Sequence, residues 1–462
     1  MKRFLITTVI AIFFVNLSFG QVDKWSDPKL NPDNFTLLDG FKKKKMEKML
    51  KEGKNDEVKK KQEEAKNKKV YSVFLPVVAY NPFTSLILGV GGNLSTKFGD
   101  SSTTRFSNFV PSYTYTLNNQ QTFRLNSNLY TNNNDYYIFS SLMWAMAPQS
   151  TYGVGGDNPE DWKTIVEPKT FKVVLRAYKK IKENIYIGVN YSLDWKYQIE
   201  DEDAVDIQNI ISSSPDATTA SDAIDKEFND GLDEFWVTEG INYSGFEAEY
   251  DPSNAVALQQ KYYYTPFGDY NYGTGDHSVA SGIGVNFLLD SRDNVNSTYE
   301  GAYVNVAYTY YGEWLGSTSD FQSLLIDARY HIPLCENKRQ VLAFWGMANL
   351  TFGDTPYFSL PRIGGDDWYT SGRGYTAGRY LGEKLLYAEA EYRINVKKWF
   401  GLTGFINAHS VTEDNDKFEY VNVAGGIGFR ARILKSRTDI NADFGYGKEG
   451  SHGVYLRFTQ AF

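Results

Sequence analysis

Short segments with a period-two alternation of apolar and polar residues fill the chain from residue 71 to residue 462, and they limit the fold more than any other feature. In residues 277–289, the apolar side chains Val279, Ile283, Val285, Phe287 and Leu289 alternate with small or polar ones. Successive side chains of a β-strand point to opposite faces, so each segment predicts a strand with one lipid-compatible face. After the first twenty residues, no run approaches the roughly 18 apolar residues of a spanning helix.

Charged residues in one segment fix the direction of its polar face. Leu386, Ala388 and Ala390 alternate with Tyr387, Glu389, Glu391 and Arg393. Lipid does not tolerate these charges, so they are predicted to face the interior of a barrel.

The segments predict a 16-stranded antiparallel transmembrane β-barrel over residues 71–462, an all-β fold. Strand starts are expected near residues 72, 86, 105, 120, 135, 170, 184, 277, 301, 320, 339, 384, 399, 419, 438 and 452. Three long insertions, 148–169, 199–276 and 354–383, follow odd-numbered strands, as short periplasmic turns and long external loops require. The 199–276 insertion has 18 acidic residues against Lys226 and Lys261, so it is predicted to be an acidic external loop.

The first seventy residues predict export and a basic linker. Residues 1–20 have Lys2 and Arg3, an apolar stretch and small residues, typical of a signal peptide. Residues 21–70 are predicted to form a periplasmic basic linker or helix with 13 Lys against 6 acids from Lys42 to Lys69. This short N-terminal helical segment either docks on a periplasmic partner or is a plain charged linker. The predicted location is the bacterial outer membrane.

Several functional classes are disfavoured. The chain has 48 Lys+Arg and 56 Asp+Glu, a net charge of −8, so a nucleic-acid partner is not expected. No hydrolase, metalloprotease or nucleotide-binding motif is visible, so no enzyme activity is expected. With four His and one Cys, neither a cofactor nor a metal site is expected.

One turn carries a family resemblance. Asp290, Arg292, Asp293 and Asn294, followed by Gly301, resemble the D-x-R-D-N…G hairpin of the β-barrel assembly (BamA/TamA, bacterial surface antigen) superfamily. A structural role also accounts for these residues, since the acids and the amide cap turn N–H groups and the arginine pairs with a carboxylate.

The 354–383 insertion carries a second resemblance. Pro361-Arg362-Ile363-Gly364-Gly365 and Ser371-Gly372-Arg373-Gly374-Tyr375 resemble the sixth external loop of that superfamily, with its R-G-F/Y motif. The resemblance implies a loop that folds into the lumen. It also implies contacts between its arginine and inward residues of the next two strands, here Glu389, Glu391, Phe405 and Asn407. The loop-to-barrel brace is therefore predicted to consist of Arg373, Gly374, Tyr375 and these four residues.

One departure weakens the expected ion pair. Asn407 stands where the family usually has Asp, so either Glu391 supplies the carboxylate or the loop is held more loosely. An alternative is that Arg373 is one of several lumen cations that set pore selectivity. The others are Arg393, Arg430, Arg432 and Arg457.

The last segment is predicted to be the terminal strand of an exported barrel. Val454, Leu456, Phe458 and Phe462 share one face, although Gln460 interrupts it. Phe458 and Phe462 resemble the carboxy-terminal signal that the outer-membrane assembly machinery reads.

The resemblance implies a function in outer-membrane biogenesis. Residues 21–70 are too few for a POTRA module, so the chain looks like a short, POTRA-less member that assembles or inserts outer-membrane proteins, as an accessory subunit. The alternatives are a diffusion channel or small-molecule transporter and a structural scaffold. Candidate partners are outer-membrane lipid and lipopolysaccharide, outer-membrane protein clients, assembly-complex subunits and a periplasmic partner of Lys42 to Lys69.

Overall fold

The computed structural model describes residues 70–201 and 267–462, with short gaps of which 82–84 and 366–370 are the longest, and scattered positions between 36 and 57. The predicted signal peptide and most of the acidic loop therefore lie outside the described residues. Residues 44, 45 and 47–51, within the basic segment, are helical. No helix of the described part is long and apolar enough to cross a membrane.

The described chain is almost entirely β-structure in one antiparallel sheet. Its strands are β1 (Val70–Asn81), β2 (Ser85–Thr96), β3 (Ser107–Thr116), β4 (Gln121–Tyr130), β5 (Tyr136–Met146), β6 (Gln149–Thr151), β7 (Thr164–Lys182), β8 (Ile185–Asp201), β9 (His277–Asp290), β10 (Gly301–Tyr311), β11 (Phe321–Pro333), β12 (Gln340–Gly353), β13 (Lys384–Lys397), β14 (Phe400–Val411), β15 (Asn422–Leu434), β16 (Thr438–Tyr446) and β17 (His452–Phe458). The all-β antiparallel fold predicted from the sequence is confirmed.

The described strands number seventeen rather than sixteen because the 148–169 insertion is partly strand. Its residues Gln149–Thr151 form the short β6, which pairs with the first residues of β7. β7 accordingly begins at Thr164 rather than near residue 170. Apart from β1 and β17, each long strand pairs with the long strands before and after it in sequence, as in a meander.

The two faces of the sheet differ as the alternation predicts. On β9, Val285 is 60% exposed on the outer face, whereas Asn286 is buried on the inner face. On β13, Leu386 is exposed, while Glu389, Glu391 and Arg393 are buried in the interior. The outer surface is therefore apolar, and the charges lie inside.

Three clusters of buried apolar side chains fill much of the interior. One joins the 354–383 loop to the inner faces of strands β12–β15 and includes Trp345, Ile363 and Tyr375. A second lies between Tyr130, Tyr178 and Leu288, where strands β4, β7 and β9 end or begin. A third, around Phe267 and Tyr357, packs the loops that follow β8 and β12.

The sheet curls around this interior, but its first and last strands form no ladder with each other in the described residues. β1 pairs with β2 over its whole length, and β17 pairs with β16. Cα atoms of β1 instead come within 8 Å of Cα atoms of β15. The wall is thus a barrel with an unpaired seam between β1 and β17.

Candidate functional site

The loop between β12 and β13 enters the barrel and places Arg373 at its centre. The turn around this arginine needs glycine on both sides, since Gly372 has a φ of 72° and Gly374 a φ of 115°. A Cβ atom on Gly374 would lie 2.6 Å from the Cβ of Ala424 on β15. These two glycines let the loop backbone approach the wall closely enough for the arginine to reach it.

Three carboxylates surround the Arg373 guanidinium, which is completely buried. Its Nη2 donates to Glu389 and Glu391 on β13, the latter at 2.5 Å. Its Nη1 donates to Oδ2 of Asp443 on β16 at 2.8 Å. A buried guanidinium requires such partners, because an unpaired charge in the interior costs several kcal/mol.

β14 completes the site. The Arg373 Cζ lies 3.7 Å from the ring centroid of Phe405, a cation–π contact. The Asn407 Nδ2 donates to the backbone carbonyl of Arg373 at 3.0 Å. Asn407 thus holds the loop backbone, while Glu389, Glu391 and Asp443 supply the negative charge.

Other lumen cations share the same carboxylates. Arg393 donates to Glu391 at 2.6 Å, and Arg430 and Arg457 both pair with Asp443. Together with Arg373 they place four cations against the three carboxylates. Arg432 lies elsewhere, with Asp439 and the Tyr299 hydroxyl as partners. The lumen cations are thus bound in a network in which Arg373 is the loop's contribution.

Tyr375 ties the loop to the hairpins beside the seam. Its hydroxyl donates to the carbonyl of Val423 at 2.7 Å and accepts from the backbone N–H of Lys448 at 2.9 Å. The N–H of Gly374 donates to the hydroxyl of Tyr455 on β17 at 2.9 Å. The loop therefore contacts the last strand directly.

The hairpin residues form a second group of buried charges. Asp290 is fully buried and accepts from Arg292 Nε at 2.9 Å, and it pairs with Arg105 Nη1 at 2.8 Å. The Arg105 side chain also donates to the carbonyl of Asp290 at 2.7 Å. Since Arg105 precedes β3, this cluster fastens the turn after β9 across the interior.

The rest of the hairpin motif shapes the turn. Asn294 Oδ1 accepts from the N–H of Asn296 at 2.8 Å, and Asp293 Oδ1 accepts from the N–H of Tyr299 at 3.0 Å. Gly301 has a φ of 111°, and a Cβ there would lie 2.4 Å from the carbonyl oxygen of Ser291. Each motif residue therefore has a local structural task.

Phe462 does not share the outer face that the sequence pattern predicts. β17 ends at Phe458, and Phe462 is only 4% exposed inside the barrel. Its ring lies 5.4 Å from that of Trp345 and 5.2 Å from the Arg393 Cζ. The prediction that Phe462 shares the outward face is wrong, because the strand ends at Phe458 and aromatic and cationic partners bury the Phe462 ring inside the barrel.

Sequence reasoning missed three residues of these clusters, namely Asp443, Tyr455 and Arg105. Asp443 carries a weak signal, because it alternates with the exposed Phe444 and therefore has to face inward. No motif or spacing indicates that it meets Arg373, since the two residues are 70 positions apart. Tyr455 and Arg105 show no signal that distinguishes them from other inward residues.

The arrangement is suited to holding the loop and the barrel wall together. In the described part of the chain, no three His, Cys, Asp or Glu side chains are placed to hold a metal ion. The charges of the Arg373 site are buried and engaged with one another.

Comparisons with known proteins complete the description. No protein-family model matches the chain, and no curated protein matches it in sequence. Among solved structures, BamA from Haemophilus ducreyi lacking POTRA domains 1-3 is similar, with a TM-score of 0.45, 13% identity, and coverage of 85% of this chain and 70% of that one. CdiB from Acinetobacter baumannii has a TM-score of 0.46, 11% identity and 85% and 60% coverage. CdiB from Escherichia coli has a TM-score of 0.46, 11% identity and 84% and 62% coverage. The chain thus spans less than two thirds of either CdiB.

Proposed function

We propose that this protein is an outer-membrane barrel that assembles or inserts other outer-membrane proteins by offering its unpaired seam to a client strand. The observation that carries the proposal is the absence of a β1–β17 ladder in the described sheet. Both edge strands carry exposed apolar side chains, such as Phe74 on β1 and Leu456 on β17. The two edges therefore have the composition of membrane-facing strands without the pairing of a closed wall.

In the hydrocarbon region of the membrane, the unpaired backbone groups of such a seam favour pairing with another strand. Each unpaired backbone N–H or C=O in the hydrocarbon region costs several kcal/mol, so an open edge there favours a partner strand. A client strand that adds by β-augmentation satisfies these groups. The same groups are also satisfied if β1 and β17 pair with each other. Closure of the seam and binding of a client strand therefore compete.

The loop contacts support the proposal because they join the strands from β13 to β17 on one side of the seam. Arg373 joins β13 to β16, and Gly374 and Tyr375 reach β17 and the hairpin before it. Strands held from inside in this way keep their positions when the seam opens. In this proposal Arg373 is the brace that holds β13–β17 in place. The movement that opens the seam is then limited to β1 and the strands next to it.

A continuous diffusion channel has less support. The 354–383 loop and Phe462 pack into the interior beside β12–β15, where Trp345 and Tyr387 are also buried. Side chains therefore occupy the space that a solute path along these strands requires. The remaining cavity, about 990 Å³, reaches Ile87 on β2 and Val454 on β17, residues on the two strands that flank β1.

Depletion of the protein followed by quantitative proteomics of the outer membrane tests the proposal. We expect a broad fall in other barrel proteins, with restoration by the wild-type gene. Arg373→Met supplied in trans should restore them incompletely, and Arg432→Met is the matched control because it removes a buried arginine outside the loop contacts. An unchanged outer-membrane proteome after depletion refutes the proposal.

A further inference from the structure

The lumen contains a cavity of about 990 Å³ beside the Arg373 site, where Tyr375 and Tyr455 border it. Most of its lining comes from β4, β5, β7, β8, β10, β11 and β12, and it extends to Ile87 on β2 and Tyr455 on β17. Phe358 and Arg362 of the external loop border it at one end, and Arg292 and Gln460 at the other. The space is large enough for a small organic molecule, whose sites commonly measure 300–1,000 Å³.

The lining of this cavity is strongly cationic. Seven lysine and arginine residues line it, against two aspartates. In the Arg373 site, by contrast, four cations meet three carboxylates. The cavity lining therefore has five more cations than carboxylates, whereas the Arg373 site has one more; Asp290, behind the lining, pairs with Arg292.

One group of these cations lies near the external loop. Asp194 on β8 is shared by Lys196 and by Lys172, whose Nζ lies 3.6 Å from Oδ2. Arg362 of the loop lines the same space and binds backbone carbonyls, with its Nη2 2.6 Å from the oxygen of Tyr357. Two lysines therefore share one carboxylate, and Arg362 lines the same cavity.

A second group lies toward the opposite end. The guanidinium carbons of Arg292 and Arg329 lie 4.4 and 5.3 Å from the ring centroid of Tyr303. On the wall between the two groups, the Arg176 Cζ lies 5.2 Å from the ring of Phe139. Positive charge is thus distributed along the cavity and mixed with aromatic faces, so a ligand finds both ionic and apolar contacts.

We infer that this cavity binds a small, multiply charged organic anion that carries phosphate or carboxylate groups. Basic side chains in a partly enclosed space attract anions more strongly than the same charges in bulk water, because the surrounding protein has a lower dielectric constant. Arginine and lysine are also the usual protein partners of phosphate and carboxylate. This inference does not depend on the proposed assembly function.

The test is calorimetric titration of the purified full-length barrel in detergent micelles with three probes. Inositol hexakisphosphate and trigalacturonic acid represent phosphate and carboxylate anions, and myo-inositol is the uncharged control. We expect at least one anion to bind at low ionic strength, more weakly as salt is added, and myo-inositol not to bind. The anion that binds more tightly identifies the charged group. Absence of binding by both anions, or equal binding of myo-inositol, overturns the inference.

Substitutions on one strand locate the site. Lys172→Gln/Arg176→Gln removes two lining charges from β7 and should weaken binding at least tenfold. Lys179→Gln, on the exposed face of the same strand, is the matched control and should leave binding unchanged. If the double variant does not fold, Arg124→Gln on β4 removes another lining charge and should also weaken binding. Equal binding by the folded lining variants and by Lys179→Gln overturns the placement in the cavity.

Discussion

Replacement of Arg373 by methionine is the sharpest perturbation of the loop contacts. Methionine keeps most of the side-chain volume but removes the guanidinium that contacts Glu389, Glu391 and Asp443. Glu391 and Asp443 retain other arginines, whereas the described contacts of Glu389 include no second cation. Glu389 is then a buried charge without a cationic partner.

The expected cost follows from this geometry. Removing one partner of a buried ion pair costs about 3–5 kcal/mol. The cation–π contact with Phe405, at 3.7 Å, adds up to about 2 kcal/mol when desolvated. Because the loop can relax and admit water, we expect a loss of about 4 kcal/mol in the free energy of unfolding. That is a large part of the roughly 5–15 kcal/mol by which domains are stable.

Urea unfolding in micelles, followed by tryptophan fluorescence, measures this loss. The double variant Arg373→Met/Glu389→Gln provides the internal control, because it removes the stranded charge together with the arginine. It should be less destabilised than the sum of the two single variants, with a coupling of about 1–3 kcal/mol. A loss below about 1 kcal/mol for Arg373→Met, or strict additivity in the cycle, refutes the reasoning.

Three further changes test other parts of the structure. Gly374→Ala places a Cβ 2.6 Å from the Cβ of Ala424 at a backbone φ of 115°, so the loop should loosen and limited proteolysis should cut it faster. Gly346→Ala is the control: a Cβ there has no atom within 4 Å, so the cutting rate should be unchanged. Asp290→Asn removes a fully buried carboxylate between two arginines and should lower the urea midpoint by the equivalent of about 3–5 kcal/mol; an unchanged midpoint contradicts the ion pairs. Phe462→Ala should cost about 3–5 kcal/mol in the same assay because the ring is buried, whereas a cost below about 1 kcal/mol indicates an exposed ring.

The strands of the barrel wall were predictable from sequence because the alternation within each strand indicates which side chains face lipid and which face the interior. The alternation on β13 fixes which residues face inward, and the strand starts follow from the turn residues between segments. The addition of β6 was not predictable, because three residues are too few to show a period. The inward position of Phe462 was missed for a related reason, since the sequence pattern extends to Phe462 with one interruption at Gln460, whereas β17 ends at Phe458.

The Arg373 site was predictable on one side only. Alternation indicates that the carboxylates on β13 and the aromatic ring on β14 face inward, and the resemblance to the superfamily loop implied their contact with Arg373. Asp443 on β16 and Tyr455 on β17 come close to the loop because the sheet curls. Local sequence patterns do not predict the curvature of a sheet. The cationic cavity was missed for the same reason, because its lining comes from strands far apart in the chain.

Locking the seam with a disulfide tests the central claim most directly. In a Cys335→Ser background, Phe74→Cys on β1 and Leu456→Cys on β17, with neighbouring outward positions as further pairs, should cross-link the two edges. The control pair Val90→Cys and Tyr113→Cys joins residues that already face each other on β2 and β3. Outer-membrane barrel levels are then measured in depleted cells that express each variant. We expect the locked seam to fail to restore these levels until reductant is added, whereas the control pair restores them. Full restoration by a locked seam contradicts the account.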